Sequence, residues 1–251
     1  MKKFNLKKRI SKSVANMAGY TPGEQPKDIE KWVKLNTNEF PFPPSPKVVE
    51  AIKNELGRDG ASLRLYPNPE SSNLREQLGK YFGVPAACAF AANGSDDALN
   101  VVIRAFSDDS RPIATLDPSY SLYPVLAKLQ GSKLVQIPFK KNMEIDFDKI
   151  FSCGANIFFF TNPNAPTGVG FDCATVEKIA AGFDGIVLVD EAYAPFADYS
   201  CVPLVEKYPN LIVTGTSSKG LGLAGMRIGW AFANGAETRH GVDHAADLLE
   251  R

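Results

Sequence analysis

Lys219 stands in Thr216-Ser-Ser-Lys219-Gly-Leu-Gly-Leu-Ala-Gly-Met-Arg227-Ile-Gly229, among small residues, with Arg227 eight residues on. A lysine attacks a carbonyl only as the neutral amine, so it needs a pocket that keeps water from part of its charged population. Small neighbours let a flat molecule approach, and Ser218 with Arg227 could hold a phosphate through charge-assisted bonds. Read alone, a lysine after a strand is a surface lysine. Asp190 is the second group. It directly follows the apolar run Ile186–Val189, in Val-Asp-Glu-Ala. An anion just past a buried strand is costly without a partner.

Pyridoxal 5'-phosphate (PLP) would supply that partner through a protonated pyridine nitrogen. An aspartate there keeps the nitrogen charged, so the ring can act as an electron sink. Tyr193 lies three residues beyond Asp190 and could reach the ring's phenolate oxygen. Two weaker signals precede these. Asn93-Gly-Ser-Asp-Asp97 offers backbone N–H groups and a helix dipole to an anion, although alone it is only a cap. Asp117-Pro-Ser-Tyr120 places an aromatic side chain where it could stack on a flat ring.

The elements that must position these groups alternate. Ser45-Pro46 opens a helix with Val48, Val49, Ile52 and Leu56 at helical spacing, and Gly57 ends it. Ser72–Phe82 and Asp96–Phe106 read as helices, the first stopped by Gly83, the second opened by Asn93-Gly94-Ser95. Leu122–Leu129 and Ala174–Ala181 read as two more. Ile113–Leu116, Leu134–Ile137, Ile157–Phe160, Ile186–Val189, Leu211–Thr214 and Ile228–Phe232 read as strands, and Trp32–Leu35 as a short strand near the N-terminus. Strands separated by helices predict an α/β fold with a mostly parallel sheet and helices on both faces. In such sheets ligands sit beyond the carboxyl ends of strands, which is where Asn162, Asp190 and Lys219 fall.

In chain order the motifs are Gly-Ser-Asp, Pro-Ser-Tyr, Asn-x-Pro-Thr-Gly, Asp-Glu-Ala-Tyr and Ser-Lys-x-x-x-Leu-Ala-Gly-x-Arg. From about residue 15 to 235 this resembles the PLP-dependent aminotransferases of fold type I. Three stretches narrow the resemblance to the histidinol-phosphate aminotransferases: residues 14–26 with Tyr20, Leu35-Asn-Thr-Asn-Glu-Phe-Pro41, and Leu65-Tyr-Pro-Asn-Pro69. The resemblance implies that Lys219 binds PLP as a Schiff base and shuttles the proton. It implies that Asp190 pairs the pyridine nitrogen, Tyr193 bonds O3' and Tyr120 stacks on the ring. Gly94, Ser95, Ser218, Arg227 and Thr216 would form the phosphate cup, with Asp96 also among the cofactor-binding residues. Tyr66 would reach the phosphate of a neighbouring subunit's cofactor, which implies a homodimer. Tyr20 and Asn36 would lie near substrate. The reaction implied is transamination between an amino donor such as glutamate and imidazole-acetol phosphate, giving histidinol phosphate in histidine biosynthesis. Nearby alternatives are an aromatic amino acid aminotransferase and a threonine-phosphate decarboxylase.

Two departures stand out. Where the family has asparagine directly before the proline of Asn-Pro-Thr-Gly, this chain has Ala165, so Asn164 or Asn162 would make the O3' contact. The Ala165–Pro166 bond is expected cis. After Asn234 the sequence no longer reads like the family, whose members continue into a small C-terminal domain carrying substrate-binding arginines. The expectation is an N-terminal arm over 1–45, a PLP-binding large domain over 46–235 and an atypical tail over 236–251, from a truncated or frameshifted gene. On that reading a PLP-binding protein without turnover, or a product that does not fold, remain alternatives.

Composition sets outer bounds. The chain has 251 residues, zero formal net charge, 44% hydrophobic and 22% charged residues. Nothing in that balance attracts nucleic acid or an anionic membrane. The basic start (Lys2, Lys3, Lys7, Lys8, Arg9, Lys12) lacks the apolar stretch of a signal peptide. The four cysteines, at 88, 153, 173 and 201, form no C-x-x-C pair, which suggests a reducing compartment, the cytoplasm. His240 and His244 have the spacing of two zinc ligands but lack further ones, so no metal is expected.

Overall fold

In the computed structural model, residues 4–5, 9–15, 17 and 27–250 are described. Helices α1 (Lys12–Ala15) and α2 (Pro46–Leu56) precede the α/β body. The body runs α3 (Ser72–Phe82), β1 (Ala89–Ala92), α4 (Ser95–Phe106), β2 (Ile113–Asp117), α5 (Leu122–Gln130), β3 (Leu134–Pro138), α6 (Phe147–Phe151), β4 (Ile157–Thr161), α7 (Cys173–Gly182), β5 (Ile186–Asp190), β6 (Leu211–Thr216), β7 (Gly229–Phe232) and α8 (Ala236–Glu250). The expected helices and strands of the body form within a residue or two of their expected bounds. Local chemistry sets their ends. Ser45 accepts a bond from the Lys47 N–H ahead of Pro46, and Gly57 and Gly83 close α2 and α3 at positive φ.

Trp32–Leu35 is not a strand. A 3-10 turn over Ile29–Lys31 leads into an open segment, and Trp32, Val33 and Leu35 are exposed. The run is apolar, but among the described residues no sheet edge pairs with it. The tail beyond residue 235, expected to be atypical, is a helix. Val242 and Ala246 of α8 are buried in the same cluster as the inner face of α4.

The seven strands form one sheet in the order β1-β7-β6-β5-β4-β2-β3. Every pairing is parallel except the two made by β7, which is antiparallel to β6 and to β1. Alternate side chains feed two cores. Phe158, Phe160, Val187, Val189 and Val213 pack with Leu78, Ile150 and Ile179 from α3, α6 and α7. Ile157, Phe159, Leu188 and Ile212 pack with residues of α4, α5 and α8. Burial on both faces is why these strands read as unbroken apolar runs. No helix among the described residues is long and apolar enough to cross a membrane.

Candidate active site

The carboxyl ends of β4, β5 and β6 bring Thr161, Asp190 and Thr214 side by side, because the parallel register pairs Thr161 with Asp190 and Asp190 with Thr214, and β6 runs on to Thr216. Asp190 is 2% exposed. Tyr123 of α5 donates to its Oδ2 (2.9 Å) and the Ala192 N–H to its Oδ1 (3.1 Å). Burial pushes the carboxyl up to about 6, against the pull of these two bonds, and Asp96 adds to the rise. No lysine, arginine or histidine pairs with it among the described residues. Thr214, its register partner, holds a buried hydroxyl with no partner there either.

Lys219 follows β6 by three residues and is half-buried. Its Nζ donates to the Thr37 carbonyl (2.9 Å) and lies 5.8 Å from the centre of the Tyr193 ring. Burial lowers the amine's proton affinity. Arg227 and Lys34 press the same way, while Asp96 and Glu39 oppose them. Tyr193 is held from the other side by Asn38, whose amide donates to its hydroxyl (2.8 Å). Lys34 is tied to Thr37 (2.6 Å) and to Glu39, which fixes the segment lying against Lys219. Asn36 is exposed, one residue before Thr37.

The residues expected to cradle a phosphate meet by close approach. Gly94 caps α4 at φ 86°, and a Cβ there would strike the guanidinium of Arg227. A Cβ on Gly229 would strike the backbone of Gly94 and Ser95. Glycine is therefore required at both positions for the start of α4, β7 and Arg227 to meet. Arg227 itself sits at φ 53°. Thr216 donates to Ser218 Oγ (2.9 Å) and accepts from the Ser218 N–H (3.1 Å), ordering the chain into Lys219. Asp96, on the first turn of α4, accepts from the Tyr120 hydroxyl (3.3 Å), and the Tyr120 ring meets Tyr123 edge-on at 5.6 Å.

Other expected site residues are engaged elsewhere. Asn162 is fully buried and binds both backbone groups of Phe171 and the Tyr199 hydroxyl, closing the loop that follows β4. Asn164 donates to the Pro118 carbonyl (3.2 Å) and accepts from Thr167 (2.7 Å). The Ala165–Pro166 bond is cis. Tyr66 is fully exposed on the loop before α3. Tyr20 lies outside the described residues. A cleft of about 990 Å³, lined by Leu78, Tyr81, Tyr199, Thr216 and Trp230, includes neither Lys219 nor Asp190.

A half-buried lysine amine, a buried carboxylate with no paired cation among the described residues, and the close approach of Arg227 to the start of α4 thus share one end of the sheet. A family model described as aminotransferase class I and II matches residues 30–249. The chain belongs to this aminotransferase family. The histidinol-phosphate aminotransferase of Geobacter sulfurreducens is 47% identical over 225 residues, covering 89% of this chain and 64% of that protein. That of Syntrophotalea carbinolica is 45% identical, covering 90% and 64%. The chain therefore spans about 64% of the length of these curated relatives. A solved histidinol-phosphate aminotransferase from Sinorhizobium meliloti, in complex with pyridoxal-5'-phosphate, has a TM-score of 0.71 at 24% identity, covering 85% of this chain and 64% of that one. It shows that the fold is shared. Within this family member's candidate site, Tyr123 and Thr161 are the residues that sequence reasoning missed. Their signals were a tyrosine in the first turn of a largely apolar helix and a threonine closing the apolar run Ile157-Phe-Phe-Phe160.

Proposed function

We propose that this chain binds PLP and that the protein transfers an amino group between a donor such as glutamate and imidazole-acetol phosphate, forming histidinol phosphate in histidine biosynthesis. The observation that carries the reading is Asp190: a buried carboxylate at a strand end, held among the described residues by neutral donors, at the same end of the sheet as a half-buried lysine. The 47% identical relative supports the substrate assignment.

The residues fit the cofactor. Asp190 would pair the pyridine nitrogen and Lys219 would hold the aldehyde carbon. Tyr193, with Asn164 ahead of Asn162, would contact O3', and Tyr120 would stack on the ring. Gly94, Ser95, Thr216, Ser218 and Arg227 would cradle the phosphate, with Asp96 at the same helix start. When bound, PLP supplies an electron sink for the charge left on the substrate carbon. Lys219 Nζ, whose proton affinity burial lowers, would take the proton from that carbon and return it on the other side of the exchange. Asp190 holds its negative charge against the ring nitrogen throughout. Tyr20 and Asn36 would border the substrate. The cofactor site lies within the large domain, residues 46–235, and we further propose a cytoplasmic homodimer in which Tyr66 serves the neighbouring site.

The test is an absorbance spectrum of the purified chain with PLP, then borohydride reduction and mapping of the modified lysine. An adduct on Lys219, absent in Lys219→Ala, is expected. Reduction that labels another lysine, or none, refutes the cofactor assignment. Turnover assays with histidinol phosphate and with aromatic amino acids then separate substrates.

A further inference from the structure

Asp190 has an unusual supporter. Tyr123 is fully buried, and its hydroxyl lies 2.6 Å from Thr161 Oγ1 as well as 2.9 Å from Asp190 Oδ2. Ser119 Oγ stands 3.1 Å from Thr161 Oγ1. The bond directions follow from counting hydrogens. A carboxylate only accepts, so the single phenol hydrogen goes to Asp190. Thr161 must then donate to Tyr123, and Ser119 to Thr161. This one ordering satisfies all four side chains, and it runs from the half-buried Ser119 down to the buried carboxylate.

We propose that Tyr123, aligned by Thr161 and Ser119, is a positioning residue that keeps Asp190 anionic with a neutral donor, leaving its charge for the cofactor's ring nitrogen. This rests on the cofactor reading above. A buried carboxylate is kept charged by a cation or by hydrogen bonds. A lysine or arginine beside Asp190 would compete with the ring nitrogen for its charge. A phenol does not, because it brings no charge of its own. The surroundings otherwise work against the anion. Asp96 on α4 raises the Asp190 carboxyl, Asp190 in turn raises that of Glu191, and the Tyr120 hydroxyl is bonded to Asp96. Among the described residues, Tyr123 and the Ala192 N–H are what pull Asp190 down. Packing alone does not account for the hydroxyl, since phenylalanine would fill the same space against Phe159 and Tyr120.

The test titrates Asp190 in the PLP-free 251-residue chain by NMR of ¹³C-labelled aspartate carboxyls, assigned with Asp190→Asn. Tyr123→Phe should raise the Asp190 midpoint by about one pH unit or more, the worth of a bond to a charged group. Thr161→Val leaves the phenol but removes the hydroxyl that orients it, and should raise the midpoint by a smaller step. In the PLP-loaded protein, Tyr123→Phe should move the pH dependence of the absorbance band. A midpoint in Tyr123→Phe that coincides with the parent overturns the proposal. Should that variant fail to fold, an unmoved midpoint in Thr161→Val overturns it instead. Absence of a Lys219 adduct in the parent chain would refute the cofactor reading and leave the link between Tyr123 and Asp190 still measurable.

Discussion

At the residue scale, the site is held at a cost to stability. Asp190 is driven up to about 6 from an ordinary 3.8, chiefly by burial. The folded chain thus keeps this proton more tightly than the unfolded chain. Stability from this group is greatest below the unfolded value and falls as pH rises from about 4 to about 6, a loss of ~3 kcal/mol at neutral pH. Asp190→Asn keeps the shape and drops the charge. Without PLP, the variant is expected to unfold at higher urea than the parent at pH 7.5, with the gap closing near pH 4. Equal midpoints at pH 7.5 would show that water reaches the carboxylate. Gly94→Ala is a second probe, because its Cβ meets Arg227 and its φ of 86° is unfavourable for alanine. PLP affinity measured by absorbance titration should fall about tenfold or more, the loss of roughly one bond to a charged phosphate. The lysine, aspartate and glycine of this site were legible because each breaks a local pattern at a strand or helix end. Tyr123 was not. It sits in the apolar face of Leu122–Leu129, and only the folded register of β4 against β5 brings Thr161 and Asp190 beneath it.

At the element scale, the legible parts were those with their own local signal. β4, β5 and β6 are largely apolar runs rich in β-branched or aromatic residues, and α2 carries a serine–proline start and a glycine stop. β1 is alanine-rich and exists because β7 pairs with it, so its four residues announce nothing. Trp32–Leu35 is the converse, a strand-like sequence without a strand to pair. α6, five residues long, is too short to show helical periodicity. α8 looked foreign as sequence, yet it docks. Arg239 donates to the carbonyls of Ala87 (2.8 Å) and Ala89 (2.7 Å), and Thr238 donates to Pro209 (2.7 Å). A Cβ on Gly241 would strike the Phe106 ring, so the helix approaches α4 closely. Val242→Ala should therefore cost ~2 kcal/mol and Arg239→Ala ~1–2 kcal/mol in urea unfolding. Neutral results for both would mean that α8 is an undocked tail.

At the scale of the whole molecule, large apolar side chains remain on the surface, among them Trp32, Leu35, Phe42, Leu63, Leu65 and the fully exposed Tyr66. Such side chains suit an interface better than water. A homodimer that shares its sites gives them a use, and it makes a prediction that a self-sufficient monomer does not. Suppose that Tyr66 of one subunit touches the cofactor phosphate of the other. Tyr66→Phe would then weaken PLP binding at the partner's site, and Lys219→Ala would remove attachment at its own. A hybrid of one Tyr66→Phe subunit with one Lys219→Ala subunit keeps one complete site, formed by the lysine of the first and the tyrosine of the second. Its other site lacks both groups. Unfolding and co-refolding the two variants should therefore produce a fraction of lysine-attached PLP with the affinity of the parent, which neither variant shows alone. If Tyr66 acted within its own subunit, every intact Lys219 of the hybrid would belong to the subunit that has lost the tyrosine hydroxyl, and mixing would restore nothing.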